Sequence, residues 1–161
     1  MSKTHSGLFM GTLGDLAFPG STSFMKSDDP FGRYIRRRKD VDVRGFFDVV
    51  AHGESALVLV EHHGTYVRLD HRSLARLITQ ASERDLMGVR LLSCNTGTKV
   101  NGLAQNLANK LKVPVKAPNS YLWAKPDGTY FVAEGKMQGQ RLVADMTRPG
   151  KFVTFYPKRR K

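Results

Sequence analysis

Two side chains suited to nucleophilic chemistry stand at matching places in this sequence, His52 and Cys94, each directly after a short apolar run. A thiol with its ordinary pKa of about 8.5 is only partly ionised at neutral pH, and a neighbouring imidazole or a helix N-terminus favours the reactive thiolate. Such a pair can attack an amide carbon and form an acyl-enzyme that water resolves. The backbone N–H groups of Gly53 and Cys94 are the candidate oxyanion donors, glycine admitting close approach. Each residue also has a plain alternative, Cys94 as a small buried side chain and His52 as a hydrogen-bonded structural histidine.

The elements that must position this pair follow from the apolar patterning. Residues 46–51 read as a buried strand that ends at His52-Gly53-Glu54-Ser55, and residues 89–93 as a second one that ends at Cys94-Asn95-Thr96-Gly97. Between them lie a hairpin over residues 56–61 and 65–69, turning at His62-His63-Gly64, and a helix. That helix is capped by Asp70 or Ser73 and carries Leu74, Leu77, Ile78 and Ala81 on one stripe. Strand, crossover helix and strand favour parallel pairing with a right-handed crossover. A second helix with Leu103, Ala104, Leu107, Ala108 and Leu111 on one face leads to a strand over 113–117. The Asp127-Gly128 hairpin joins residues 121–124 and 129–133, residues 134–150 read as irregular and polar, and residues 152–156 read as an edge strand stopped by Pro157. The fold class predicted is α/β: a mostly parallel central sheet with flanking helices, a C-terminal β-hairpin and an irregular N-terminal arm. Ligands of open parallel sheets gather at the carboxyl ends of the strands, where His52 and Cys94 both fall.

Further residues are candidates to line a substrate site. Asn95 and Thr96 could do so, or Thr96 could cap the following helix, and Trp123 with Tyr121 could wall a pocket or simply pack. Asp48 lies about 13 Å from His52 along an extended strand, too far to orient the imidazole, and reads as polarity near the core. Glu61, His62, His63 and His71 make no metal site, because adjacent strand histidines point to opposite faces and no acidic cluster completes the set. No glycine-rich phosphate or dinucleotide turn is present, so no cofactor is expected.

A chain of 161 residues with 40 % apolar content fits one domain, and its single cysteine excludes an internal disulfide framework. The reading divides it into an irregular basic arm over 1–45, a catalytic-type α/β domain over 46–157 and a basic tail over 158–161. The net charge of +12 attracts polyanions or an acidic partner, and Arg36-Arg37-Arg38-Lys39 and Lys158-Arg159-Arg160-Lys161 concentrate part of it. No stretch approaches the roughly 20 apolar residues of a membrane span, and no export signal is visible. A soluble chain is therefore expected, cytoplasmic if it is complete.

Ala51-His52-Gly53 after one apolar strand and Leu91-Leu92-Ser93-Cys94-Asn95-Thr96-Gly97 after the next resemble the His-Gly and strand-Cys arrangement of the caspase-like clan of cysteine peptidases. Over residues 45–157 the chain also resembles C-terminal domains of bacterial polymorphic toxins, including those on RHS-repeat shells. That likeness rests on residues 47–53 and 92–97, Ala104-Gln105-Asn106-Leu107-Ala108, Val113-Pro114-Val115-Lys116-Ala117-Pro118, and Trp123 before Pro126-Asp127-Gly128. The clan implies a caspase-like sandwich with Cys94 as nucleophile, His52 as general base and acid, and Gly53 with Cys94 as oxyanion donors. The toxin likeness implies an effector delivered from a bacterium into a target cell, with an acidic immunity protein or a protein substrate as partner. Two other readings stay open beside this amide chemistry: a nucleic-acid-directed toxin or binding domain using the basic clusters, and a non-catalytic interaction module.

Overall fold

The central strands are apolar on both faces, which requires cover on both sides of the sheet they form. In the computed structural model, which describes residues 20–42, 44–82 and 85–158, the strands β1 (Ser21–Ser23), β2 (Phe47–Val50), β6 (Val89–Leu92), β7 (Val115–Pro118) and β11 (Phe152–Phe155) form one five-stranded sheet in that spatial order. The pairs β1–β2, β2–β6 and β6–β7 are parallel, and β11 closes the far side antiparallel to β7. Alternate residues divide between two cores. Val49 and Leu91 join the cluster beneath helices α2 (His71–Ala81) and α3 (Leu103–Leu111), whereas Val50 and Leu92 face the opposite cluster with Met25, Ile35, Leu122 and Val132.

That opposite cluster overturns the predicted helix-flanked parallel sandwich. Its cover is the short helix α1 (Pro30–Ile35) and an antiparallel sheet of β8 (Tyr121–Ala124), β9 (Tyr130–Gln138) and β10 (Arg141–Pro149), in the order β10-β9-β8. A third sheet, antiparallel, holds β3 (His52–Gly53), β4 (Val58–His62) and β5 (Thr65–Leu69). The described residues are 39 % strand and 19 % helix, so the molecule is mostly β, with one mixed and two antiparallel sheets. The physical reason is local. Residues 134–138 and 141–148 are largely exposed and hold few β-branched or aromatic side chains, so they lack the apolar enrichment that marks a strand.

The expectation of an irregular stretch through residue 45 also gives way over residues 20–42. β1 is a three-residue Ser-Thr-Ser strand and α1 has six residues, both too short for periodicity to register. Residues 1–19 and 159–161, which include most of the basic tail, lie outside the described residues. Asp70, rather than Ser73, caps α2, its side chain accepting from the Ser73 N–H at 3.0 Å. The Thr96 side chain is not the cap: α3 begins at Leu103 behind Gly102, Thr96 Oγ1 donates to the Ser93 carbonyl at 3.1 Å, and only the Thr96 carbonyl meets the helix, accepting the Ala104 N–H at 3.2 Å. The β4–β5 turn has left-handed backbone at His63 (φ 52°) and Gly64 (φ 85°), the signature of a two-residue hairpin.

Candidate functional site

His52 leaves β2 and enters β3, opposite Leu59 of β4. Val50 and Leu92 are register partners on neighbouring parallel strands, and His52 and Cys94 each lie two residues beyond them. Cys94 packs against the same cluster as Val50 and Leu92. Gly53 presses on the Cys94 turn, since a Cβ at position 53 would stand 2.6 Å from the Cys94 carbonyl oxygen and 2.7 Å from the Thr96 methyl. The two strand-end motifs therefore meet through their backbones. Among the described residues, however, no hydrogen bond joins the Cys94 thiol to the His52 ring.

The partner of His52 is Asp29, whose Oδ2 lies 2.7 Å from Nε2. Asp29 is the N-cap of α1, its Oδ1 accepting from the Phe31 N–H at 3.0 Å, and its Oδ2 also accepts from the Tyr66 hydroxyl at 2.7 Å. Burial alone would raise the Asp29 pKa, but the hydrogen bonds from Tyr66 and His52 and the charge of His52 outweigh it and hold the carboxyl below its ordinary value. An ionised carboxylate only accepts, so Nε2 presents a proton to Asp29, while Nδ1 makes no hydrogen bond to the described residues. Tyr66 accepts the Lys26 N–H at 3.0 Å and crosses the His52 ring edge-on at 5.0 Å. Burial, with a further contribution from Asp29, pushes the tyrosine pKa far upward and keeps its hydroxyl a donor.

Cys94 is held differently. The Leu122 N–H donates to its sulfur at 3.3 Å and the thiol lies 3.7 Å from the Leu122 carbonyl oxygen. Burial pushes the thiol pKa up despite that N–H, so the resting side chain is the protonated thiol. Asn95 takes left-handed backbone (φ 62°) and donates its N–H to the Ser120 carbonyl at 2.9 Å. Trp123 follows Leu122 on β8 and so points to the opposite strand face, where its indole N–H donates to the Ala133 carbonyl at 3.0 Å and its ring lies 5.8 Å from Tyr121. Trp123 thus sits on the outer side of the β8–β9 sheet, away from the core face that receives Cys94. No cluster of metal-ligating side chains occurs among the described residues.

Sequence reasoning missed two things here. Asp29 and Tyr66 left no motif, because the Asp29–His52 and Tyr66–Asp29 hydrogen bonds span 23 and 37 residues of chain. A second polar cluster was readable in principle. Asp48 and Arg90 are lone charges inside two apolar runs, and they turn out to be register partners on β2 and β6. Arg90 donates to both Asp48 oxygens, at 2.7 and 2.6 Å, and reaches Asp40 and the Tyr130 hydroxyl, which itself donates to Asp40. From the other side Arg38 donates to Asp48 at 3.0 and 2.8 Å, to Ser21 Oγ at 2.7 Å and to the Ile35 carbonyl at 2.9 Å. Arg38, one member of the first basic run, is spent inside the protein, and Arg37 donates to the Pro126 carbonyl at 2.6 Å. The basic run is therefore partly structural rather than a surface for polyanions.

No helix among the described residues is long and apolar enough to cross a membrane. Neither the curated proteins nor the solved structures contain a match to this chain. A family model does match, over residues 20–132, a segment that holds Asp29, His52, Tyr66 and Cys94 and stops within β9. Since this segment is more than half of the sequence, the chain belongs to that family, described as a domain of unknown function, DUF8616.

Proposed function

We propose that this domain is a cysteine-nucleophile hydrolase acting on an amide bond, deployed as a bacterial toxin-type effector. The observation that carries the reading is the fixing of His52 through Nε2 by Asp29, with the next residue, Gly53, packed on the turn that bears Cys94. An anchored imidazole with a free Nδ1 lone pair is what a general base next to a thiol requires. The thiol starts neutral, so proton transfer accompanies attack. Nδ1 of His52 takes the Cys94 proton as sulfur bonds to the amide carbon, and the carbonyl electrons move to oxygen, where the Gly53 and Cys94 N–H groups receive them. The C–N bond then breaks, and the departing amine takes the proton from His52. Water attacks the thioester, giving its proton to His52. The C–S bond breaks and Cys94 recovers that proton. Asp29 stabilises the transient imidazolium, and Tyr66 fixes Asp29. Attack exchanges the Leu122 contact for the substrate, which keeps the thiol quiet until one is bound.

The test is labelling by a panel of peptidyl acyloxymethyl ketones, with the adduct located by mass spectrometry. Modification at Cys94 that falls at least about a hundredfold in His52→Ala, in line with general-base contributions, with circular dichroism unchanged, is the expected result. Equal labelling of Cys94 in both proteins, or no labelling by any member of the panel, would overturn the reading.

A further inference from the structure

We infer that the cleft between β1 and α1 is a binding site for a single oxyanionic group, a phosphate or a carboxylate, carried by a small molecule. The cleft opens to solvent and is small, with a cavity volume of about 20 Å³. Its walls carry Lys26, Arg33, Arg36 and Arg38 with Ser21, Ser23 and Ser27, and no carboxylate. In a folded protein, cations gathered in a concave site repel one another, and an anion there relieves that repulsion.

The hydroxyls sharpen the argument. Ser21 is 3 % exposed, and its Oγ accepts from Arg38; Ser23 Oγ accepts from the Met25 N–H at 3.3 Å. Each hydroxyl thus accepts one bond from the protein, while neither donates to any of the described residues, leaving its proton available to the cleft. Lys26 and Arg33 make no ion pair among the described residues. Arg38 is paired with Asp48 and serves the cleft by orienting the Ser21 hydroxyl. Hydroxyl and cationic donors around one concavity are the complement of an oxyanion. The site borders the histidine cluster without sharing its chemistry: Lys26 and Gly32 line the cleft, while Asp29 and Phe31, between them in sequence, face His52.

The test is a titration of the full chain at low ionic strength with inorganic phosphate and, separately, with acetate, followed by backbone amide resonances. Saturable shifts confined to β1 and α1 are expected, and the tighter anion identifies the source of the group. The variant Lys26→Gln/Arg33→Gln should weaken that binding at least tenfold, whereas Lys136→Gln/Arg141→Gln on the β9–β10 hairpin, with the same loss of charge, should leave it unchanged. Absence of saturable shifts with both anions would overturn the proposal, as would equal weakening in the two variants, which would mark diffuse attraction to a basic protein. None of these readouts involves Cys94, so this inference and the hydrolase reading fail separately.

Discussion

Two polar clusters meet the two ends of α1, and they spend their hydrogen bonds in opposite ways. Around Asp48 the carboxylate takes donors from two guanidinium groups, and Arg38, with side chain and partner each 1 % exposed, ties β1, α1 and β2 together. Around Asp29 the groups are fewer, the His52 side chain is 35 % exposed, and one ring nitrogen has its partner while the other has none among the described residues. A saturated cluster in the interior holds the chain in place. A cluster with one open valence at a strand end can act on something else.

The contrast is broken most forcefully at Asp48. Asp48→Ala leaves Arg38 and Arg90 without their shared counter-charge in the interior, and a loss of about 3–5 kcal/mol is expected in urea denaturation; a loss under about 1 kcal/mol would erase the distinction between the clusters. Asp29→Ala should cost less, about 1 kcal/mol for the missing cap of α1, and should also abolish ketone labelling of Cys94. Asp29→Ser restores a cap but no anionic partner for the imidazole, so stability should return while labelling stays low.

A smaller effect follows from pH. The Asp29 pKa is lowered on folding, so its contribution to stability is complete above the unfolded value of about 3.9 and disappears as pH falls through the lower folded value. The stability difference between the wild type and Asp29→Asn should therefore shrink as denaturation is measured from about pH 5 toward pH 2; a constant difference would deny the carboxylate its charge. Smallest is the expectation for Cys94 without substrate. Its thiol pKa is raised by burial, so the pH at which iodoacetamide reacts at half its maximal rate should lie higher in the folded protein than in urea.

The sequence made some of this legible and concealed the rest for physical reasons. The strands around Val49 and Leu91 could be read because burial on both faces leaves a short apolar run, and the stripe of Leu74, Leu77 and Ile78 because burial on one face leaves a period. The strand ends bearing His52 and Cys94 could be read for the same reason. The layer over Val50 and Leu92 could be read only as the short hairpin over residues 121–133; its place against the sheet and its extension through β10, largely exposed, could not, and the helix-flanked picture failed there. Asp29 was hidden because a cap for a six-residue helix and a partner for a distant histidine are one carboxylate, and only the first role has a local signature. Arg38 looked like part of a solvated basic run, because nothing local separates an arginine that meets a buried aspartate from its exposed neighbours.

Position 53 and position 64 hold the same residue under different constraints, and a deep mutational scan would tell them apart. Gly64 has a positive φ of 85° and nothing within 4 Å of a would-be Cβ, so its tolerated replacements are Asn and Asp, which accept that backbone. Gly53 meets the Cys94 carbonyl, the Thr96 methyl and the Ser93 side chain, so even alanine must push the two strand ends apart. The first site selects by conformation and admits a short list; the second selects by volume and admits none, which fixes the spacing of the two motifs to the width of a hydrogen atom.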